Sequence, residues 1–453
     1  MGTGKESSNV DLNINEAGLT PIPLDKRESW LPAAIVWAGC EFTISVIMGG
    51  AGVASGLGTK RFLLTVIAVM LLITWPTDAL NSLVGAATGR SATAITRSSF
   101  GAMQSRTLVS GIITFNVLGW WAIQTAVTGN ALCSLFNIDY TTNKLAFVAL
   151  TIVAGVIFAI PAVLGYTSIK IVDYIAVPAG LLFLVAAFYL AIKDVGLSTI
   201  WNYTPAPGQE INLQDAIGVL VGTNVSQMII MADYTRNVKP EKKHAFMVPL
   251  GVVSTGVLLF LMGAAMGTGR NTYDIVAIMN DLGFGWWGFI VLWLAQWTSQ
   301  LVNGYSLGLS ACNMADIKTE RGRKITTSIA IGIALLVAVL GILDHFQGFL
   351  ILTSLLFPPV GSIMVVDVLI LNKNNWRDRA GWNWVATIAL VIGLGIGYVT
   401  QYVYQIGIPA VQSYLITGLV YYVLTYFRAK SNPLHPFTPD LFLNAKAGVK
   451  TED

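Results

Sequence analysis

Charge is what this sequence most lacks. Only 11% of its 453 residues are Asp, Glu, Lys or Arg, against about 25% in an ordinary soluble domain. Without those side chains a chain of this length cannot wet its own surface. That excludes a typical cytosolic enzyme, a disordered chain and a nucleic-acid binder. The net charge of +3 points to neither an acidic nor a basic partner. Cysteine is scarce as well: Cys40, Cys133 and Cys312 lie in or beside apolar runs, with no metal-ligand spacing and no disulfide framework. No GxxxxGK[ST] loop is present, which argues against an ATP-driven pump. The first 28 residues have no apolar signal core and carry Lys5, Lys26 and Arg27, so they are expected to form a cytosolic tail.

What is there is apolar. Hydrophobic residues make up 54% of the chain and the mean hydropathy is +0.66. The 13 Trp and 44 Gly suit a membrane protein, since Trp anchors at lipid–water interfaces and Gly is tolerated in spanning helices. Apolar segments occur at 31–58, 62–88, 107–134, 145–165, 168–192, 213–233, 245–268, 285–309, 325–342, 347–371, 383–401 and 407–427. Each is close to the roughly 20 residues a helix needs to cross the hydrocarbon core. The twelve runs are continuously apolar rather than alternating, which excludes a barrel. The division at Gly165–Lys170 is the weakest. With the N-terminus inside, 22 of the 27 lysines and arginines fall on inner segments, and only Lys60, Arg61, Lys144, Lys193 and Arg270 fall outside. The asymmetry follows the positive-inside rule and predicts cytoplasmic termini in a plasma (inner) membrane.

Two spans carry residues that a plain lipid-facing helix avoids. The first contains Gly49-Gly50-Ala51-Gly52 and then Ser55-Gly56. Gly costs about 1 kcal/mol against Ala within a helix, so the cluster marks an unwound or closely packed stretch. The sixth contains the polar patch Gly222-Thr223-Asn224-Val225-Ser226-Gln227. Broken helices in matching positions of two halves point to a transporter site. Their five-helix separation suggests a five-plus-five inverted repeat. Helix packing through small residues is the other explanation for each glycine.

Four passages together resemble the nucleobase–cation symporter-1 family, the cytosine, purine, allantoin and hydantoin permeases. They are Gly89-Arg90 with Arg97-Ser98-Ser99-Phe100-Gly101, Gly119-Trp120-Trp121-Ala122-Ile123-Gln124, Ala232-Asp233-Tyr234-Thr235-Arg236, and Phe357-Pro358-Pro359-Val360-Gly361 followed by Asp367. The resemblance covers about residues 30–430. It implies an all-α membrane protein of twelve transmembrane helices, a five-plus-five inverted repeat shared with amino-acid and sugar sodium symporters, plus two extra C-terminal helices. The chain then divides into a tail (1–29), a first repeat (30–193), a second repeat (194–372), two further helices (373–428) and a second tail (429–453). It also implies a carrier rather than an enzyme, with no enzymatic cofactor, a planar heterocycle as cargo, and sodium or a proton as coupling ion.

Trp120 and Gln124 are four apart and share one helix face. An indole wall plus an amide suits a planar heterocycle, which can stack on the ring and bond to the amide. The resemblance assigns this role to Trp120 and Gln124; Trp121 points about 100° away and is a second candidate. It also places a sodium ion on the carbonyls of Gly39, Phe42 and Ala295 and the hydroxyls of Thr298 and Ser299, a set of oxygens that suits a hard cation. Backbone-bonded hydroxyls are the alternative. Gln300 matches a substrate-side amide. Asn303 lies one place before another such amide position, which is Gly304 here. Ser226 matches a cytosine-permease contact, while Thr43 and Asn224 stand where that permease has aromatics.

Glu41 departs from the family pattern. A carboxylate about ten residues into the first span costs about 2.5–3.5 kcal/mol on insertion scales. It could bind a donor-rich substrate edge, carry the coupling proton, or bond to another helix. With Thr43 and Asn224 it suggests a pocket more polar than that of a cytosine carrier. Asp78, beside Pro76, is expected at a kink, Asp173 at membrane depth, Asp233 and Asp367 at cytoplasmic helix ends paired with loop basics, and His345 in solvent. The sequence-based reading is sodium-coupled import of a nucleobase-like heterocycle. A proton-coupled carrier using Glu41, and a channel or receptor-like protein, remain open at this point.

Overall fold

The structure is a computed structural model and describes residues 20–139, 141–164, 178, 182, 185, 186, 188–268, 275–283 and 286–443. Among the described residues the chain is helical, with one isolated parallel bridge between Glu28 and Val238. Nine helices among them are long and apolar enough to cross a membrane, and a bent pair makes a tenth. In addition, Trp286–Ala315 is 30 residues long, about 45 Å at 1.5 Å per residue. The count of twelve is not confirmed. The fifth segment, 168–192, lies largely outside the described residues, and Gly165–Lys170, Asp173 and Arg270 lie wholly outside them.

We number the helices used below in chain order. The first span is α1 (Trp30–Glu41) and α2 (Ile44–Leu57). The second is α3 (Thr59–Val69), a π turn at Met70–Thr74 and α4 (Trp75–Thr88). α5 (Ala92–Ser99) is a short helix after it, α6 (Ser110–Leu135) ends the third span and α7 (Lys144–Leu164) is the fourth. The sixth is α8 (Leu213–Asn224) and α9 (Gln227–Thr235), and α10 (Leu250–Gly267) forms most of the seventh. α11 (Trp286–Ala315), α12 (Glu320–Val339), α13 (Phe346–Val365), α14 (Trp384–Tyr398) and α15 (Pro409–Ser431) follow. The first, second, sixth and seventh spans pack on one another, as do the third, fourth, eighth and ninth, while α13, α14 and α15 form a third cluster.

The first span breaks at Phe42–Thr43, with a bend of 61° between α1 and α2. Of the two readings of the glycine cluster, unwound or closely packed, the structure has the second, and the break lies before it. Gly49–Gly52 is regular helix within α2. A Cβ at Gly50 would collide with the backbone of Phe260, and one at Gly263 with that of Ile47. Small residues at facing positions let α2 and α10 approach backbone to backbone. Gly50→Ala is therefore expected to destabilise the fold by roughly 1–3 kcal/mol or more, read as a lower melting temperature in detergent. Gly111→Ala, where a Cβ would meet nothing within 4 Å, should melt like the unmodified chain.

The break itself is possible because its freed backbone groups are satisfied. Thr43 caps α2 by accepting the Val46 N–H at 3.3 Å. The Ile44 N–H donates to Gln296 Oε1 at 3.1 Å, and the Gly39 carbonyl accepts the Thr298 hydroxyl. An uncapped helix end in a buried site would leave several such groups orphaned. The sixth span breaks at Val225–Ser226, inside its polar patch. In the second span the π turn directly precedes Pro76, whose ring and missing N–H disrupt a regular ladder.

At the basic end, residues 20–29 are docked. Arg27 is buried and donates to the carbonyls of Ile22 at 2.9 Å and Ala86 at 2.6 Å. The N–H of Glu28 donates to Asn237 O at 2.7 Å. Asp367 forms a buried ion pair with Arg379, at 3.3 Å. Asp233 accepts the Ala92 N–H at 2.8 Å and the Ser306 hydroxyl at 2.9 Å, which holds the start of α5 against α9 and α11. His345 is exposed, as expected.

Candidate functional site

Both breaks face the same interior space. A cavity of about 30 Å³ is lined by Trp37, Cys40, Glu41 and Thr43 beside the first break and by Thr223, Ser226, Gln227 and Ile230 around the second. Val46, Trp120, Gln124, Ser299 and Asn303 complete it. That is water-sized, well below the roughly 300 Å³ at which small-molecule sites begin. Helix breaks at this depth free polar groups at a point where regular helices would present only hydrocarbon.

Trp120 and Gln124 both line the cavity, as one face of α6 requires. The Trp120 indole is held edge-on by Phe349 and Phe346, at centroid separations of 5.8 Å and 6.5 Å. Gln124 donates from Nε2 to the Ser299 hydroxyl at 2.8 Å, and its Oε1 has no partner among the described residues. Glu41 is 3% exposed, and its Oε1 accepts from Gln227 Nε2. Four further buried atoms of the lining have no partner among the described residues: Glu41 Oε2, Gln227 Oε1 and the indole nitrogens of Trp37 and Trp120. Buried polar atoms are nearly always bonded in folded proteins, so these groups mark a surface that can bond to a ligand. Asp78, fully buried at the start of α4, likewise has no partner for either oxygen among the described residues.

The nine substrate-side candidates sort by where they point. Glu41, Thr43, Trp120, Gln124, Ser226 and Asn303 line the cavity. Trp121, Asn224 and Gln300 are buried but do not line it. Gln300 donates to Trp121 O at 3.0 Å and Thr125 Oγ1 at 2.5 Å, tying α11 to α6. Trp121 faces Gly155 and Gly304, where small residues make room for the indole. Asn224 donates to Leu220 O at 3.3 Å and lies against Met70. Of the expected cation ligands, Thr298 bonds to the Gly39 carbonyl, while Ser299 sits 3.9 Å from Cys40 Sγ. Phe42 lies in the break and Ala295 within α11. The Gly39 carbonyl and the Thr298 hydroxyl thus meet where α1 packs on α11, with Ser299 beside them on the cavity wall.

Trp37, Cys40, Thr223 and Gln227 were not among the candidates. Trp37 is four before Glu41 and shares its helix face, a signal that was present. Gln227 was part of the polar patch, but nothing local distinguishes it from Asn224. Asn116 also contributes, accepting the Ser226 hydroxyl at 2.5 Å.

A family model described as permease for cytosine/purines, uracil, thiamine, allantoin matches residues 21–421. The chain is 26% identical over 410 residues to the cytosine permease of Escherichia coli strain K12, covering 89% of this chain and 93% of that protein. Among solved structures it resembles Mhp1, a nucleobase-cation-symport-1 family transporter, in a closed conformation with bromovinylhydantoin bound. The TM-score is 0.78 at 18% identity, over 94% of this chain and 98% of that one. A Na+-coupled sialic acid symporter in a substrate-bound outward-open state gives 0.63 at 13% identity, over 92% and 95%. At these identities the structures show the fold, which is the all-α, inverted-repeat membrane architecture expected from the sequence.

Proposed function

Because this chain belongs to the family of permeases for cytosine, purines, uracil, thiamine and allantoin, we propose that it imports a small planar nucleobase-like heterocycle down a sodium gradient. The chain is a multi-pass membrane transporter and not an enzyme; the cargo and the ion are our reading. One observation carries it: Trp120 and Gln124 share a cavity with both helix breaks. The indole supplies a stacking face, and Gln124, Ser226 and Asn303 supply bonds to a ring edge. Outward- and inward-open forms would alternate as the first, second, sixth and seventh spans rock against the third, fourth, eighth and ninth. The charge asymmetry supports a plasma-membrane location with both termini cytoplasmic.

Sodium is favoured by the oxygens gathered at Gly39, Thr298 and Ser299. The Gln124–Ser299 bond of 2.8 Å puts the ring-binding amide one contact from that group, so an ion ordering Ser299 would also order Gln124. Uptake into proteoliposomes tests the reading. Import of a nucleobase, hydantoin or allantoin should accelerate under an inward sodium gradient, and no acceleration for any of them would refute it. Thr298→Ala should weaken sodium dependence more than Trp120→Ala does; the reverse order would remove the ion assignment.

Glu41 supports a second reading, proton coupling. Its Oε2 is buried without a partner among the described residues, and it interacts electrostatically with Asp78. Uptake that follows a pH gradient without sodium, and that is lost in Glu41→Gln, would select this reading.

A further inference from the structure

We propose that Asp233, Tyr234 and Arg236, at the end of the sixth span, form the inner gate of this carrier, shut in this structure against the eighth span. The inference rests on the reading above, that the first, second, sixth and seventh spans rock against the third, fourth, eighth and ninth. It adds which side chains must part for the cavity to open at the basic end.

Ser226 and Ser299 line the cavity, and from there the sixth and eighth spans both run toward the basic end. Arg236 and Ser306 lie about 15 Å and about 10 Å further along, at 1.5 Å per residue. Three bonds cross between the spans in that stretch. The Tyr234 hydroxyl donates to the Val302 carbonyl at 3.1 Å. The Ser306 hydroxyl donates to Asp233 Oδ2 at 2.9 Å. Arg236 Nη2 donates to the Tyr305 hydroxyl at 2.8 Å. A fourth bond, from the Ser226 hydroxyl to Asn116 Oδ1, joins the sixth span to the third at the cavity itself. Every side chain in this set is buried, so the way from the cavity to the basic end is closed while the bonds hold. The Tyr234 ring also packs edge-on against the Trp37 indole, with centroids 5.2 Å apart. Trp37 lines the cavity, which puts the gate directly beneath the cavity wall.

The seam between α9 and α4 is built differently. A Cβ at Gly85 would lie 2.7 Å from Ala232 Cα. Backbones that approach so closely are held by packing along their length, and such a contact does not open part-way. Toward α11, by contrast, α9 reaches across with the polar ends of Asp233, Tyr234 and Arg236. Bonds made by side-chain tips can be exchanged for bonds to water once the seam separates, so their net contribution is modest. The second and sixth spans therefore move together, and the seam with the eighth is where they part. A bond made only in the closed form biases the equilibrium by its own net contribution. Losing one ordinary hydrogen bond shifts such a ratio about fivefold.

The test reads the distance across the basic end of the full chain in lipid. Spin labels are attached at Lys243→Cys, at the start of the seventh span, and at Lys318→Cys, before α12; both positions are exposed. Pulsed electron resonance gives the distance distribution, and a chain without the two substitutions shows what the native thiols contribute. Tyr234→Phe keeps the ring against Trp37 and removes one crossing bond; Ser306→Ala removes another. Each should raise the ratio of long to short distances about fivefold, and the two together should raise it further. Thr88→Val removes a buried hydroxyl bond to the Val84 carbonyl inside α4 and should leave the ratio as it was. Melting temperatures are recorded beside the distances. Two populated distances whose ratio neither gate variant moves overturn the gate assignment alone, and a lower melting temperature with that unmoved ratio marks these bonds as packing only. A single distance in the unmodified chain and in every variant, with and without sodium, overturns the rocking of the two layers as well.

Discussion

Asp367→Ala is expected to destabilise the folded chain by about 3–5 kcal/mol, the range for removing one partner of a buried ion pair. Asp367 and Arg379 have side-chain exposures of 0% and 3%. The carboxylate also accepts the Ser98 hydroxyl at 2.8 Å and the Tyr421 hydroxyl at 2.9 Å. Arg379 in turn reaches the Ser98 carbonyl at 2.9 Å and Asn372 Oδ1 at 2.9 Å. One residue therefore joins the end of the tenth span to α5, to α15 and to the loop before α14. Alanine would leave the guanidinium buried with no carboxylate opposite, and two hydroxyls without their acceptor. Thermal melting in detergent should show the loss directly. The Asp367→Ala/Arg379→Leu double variant should recover part of it, because the uncompensated charge has gone. A single variant that melts like the unmodified chain would mean that the pair contributes nothing.

Trp120→Ala should weaken binding of the transported heterocycle at least about thirtyfold, close to the 2 kcal/mol typical of a buried aromatic anchor. The indole is 4% exposed and braced by Phe346 and Phe349, so a ring that stacks on it meets a surface already held in place. Its neighbour separates affinity from stability. Trp121 is fully buried but does not line the cavity, so Trp121→Phe should lower the melting temperature and leave affinity within about threefold of the unmodified chain, since the lost contacts are packing contacts. Equilibrium binding on both purified variants decides the matter. Equal losses of affinity would mean that α6 acts as a packed unit and not through one face.

These two neighbours show where sequence reading reaches its limit. Trp120 and Trp121 are the same residue type in the same apolar run, and helical periodicity shows only that they face different ways. Which of those ways is the cavity depends on how α6 is rotated against α11 and α13. Gln300 and Asn224 turn away from the cavity on the same ground: each is polar and central in its span, and each bonds to its own side of the packing. The first break is a related case. Its N-cap, Thr43, was present as a local signal. The glycines from six residues on were more conspicuous, and they serve a helix contact instead.

The sequence alone determined that the chain crosses a membrane repeatedly, because a shortage of charge and runs of about 20 apolar residues are local properties that need no partner. It also determined that Trp120 and Gln124 share a face, since four residues are close to one helical turn. Tertiary structure decided where the first helix breaks and which polar groups converge. A break is tolerated in a buried site only where other segments satisfy its backbone, and here Gln296 and Thr298 come from more than 250 positions away. The pairing of Glu41 with Gln227, 186 residues apart, is of the same kind. It gives an acid that composition could only flag as costly a hydrogen-bond partner on another span.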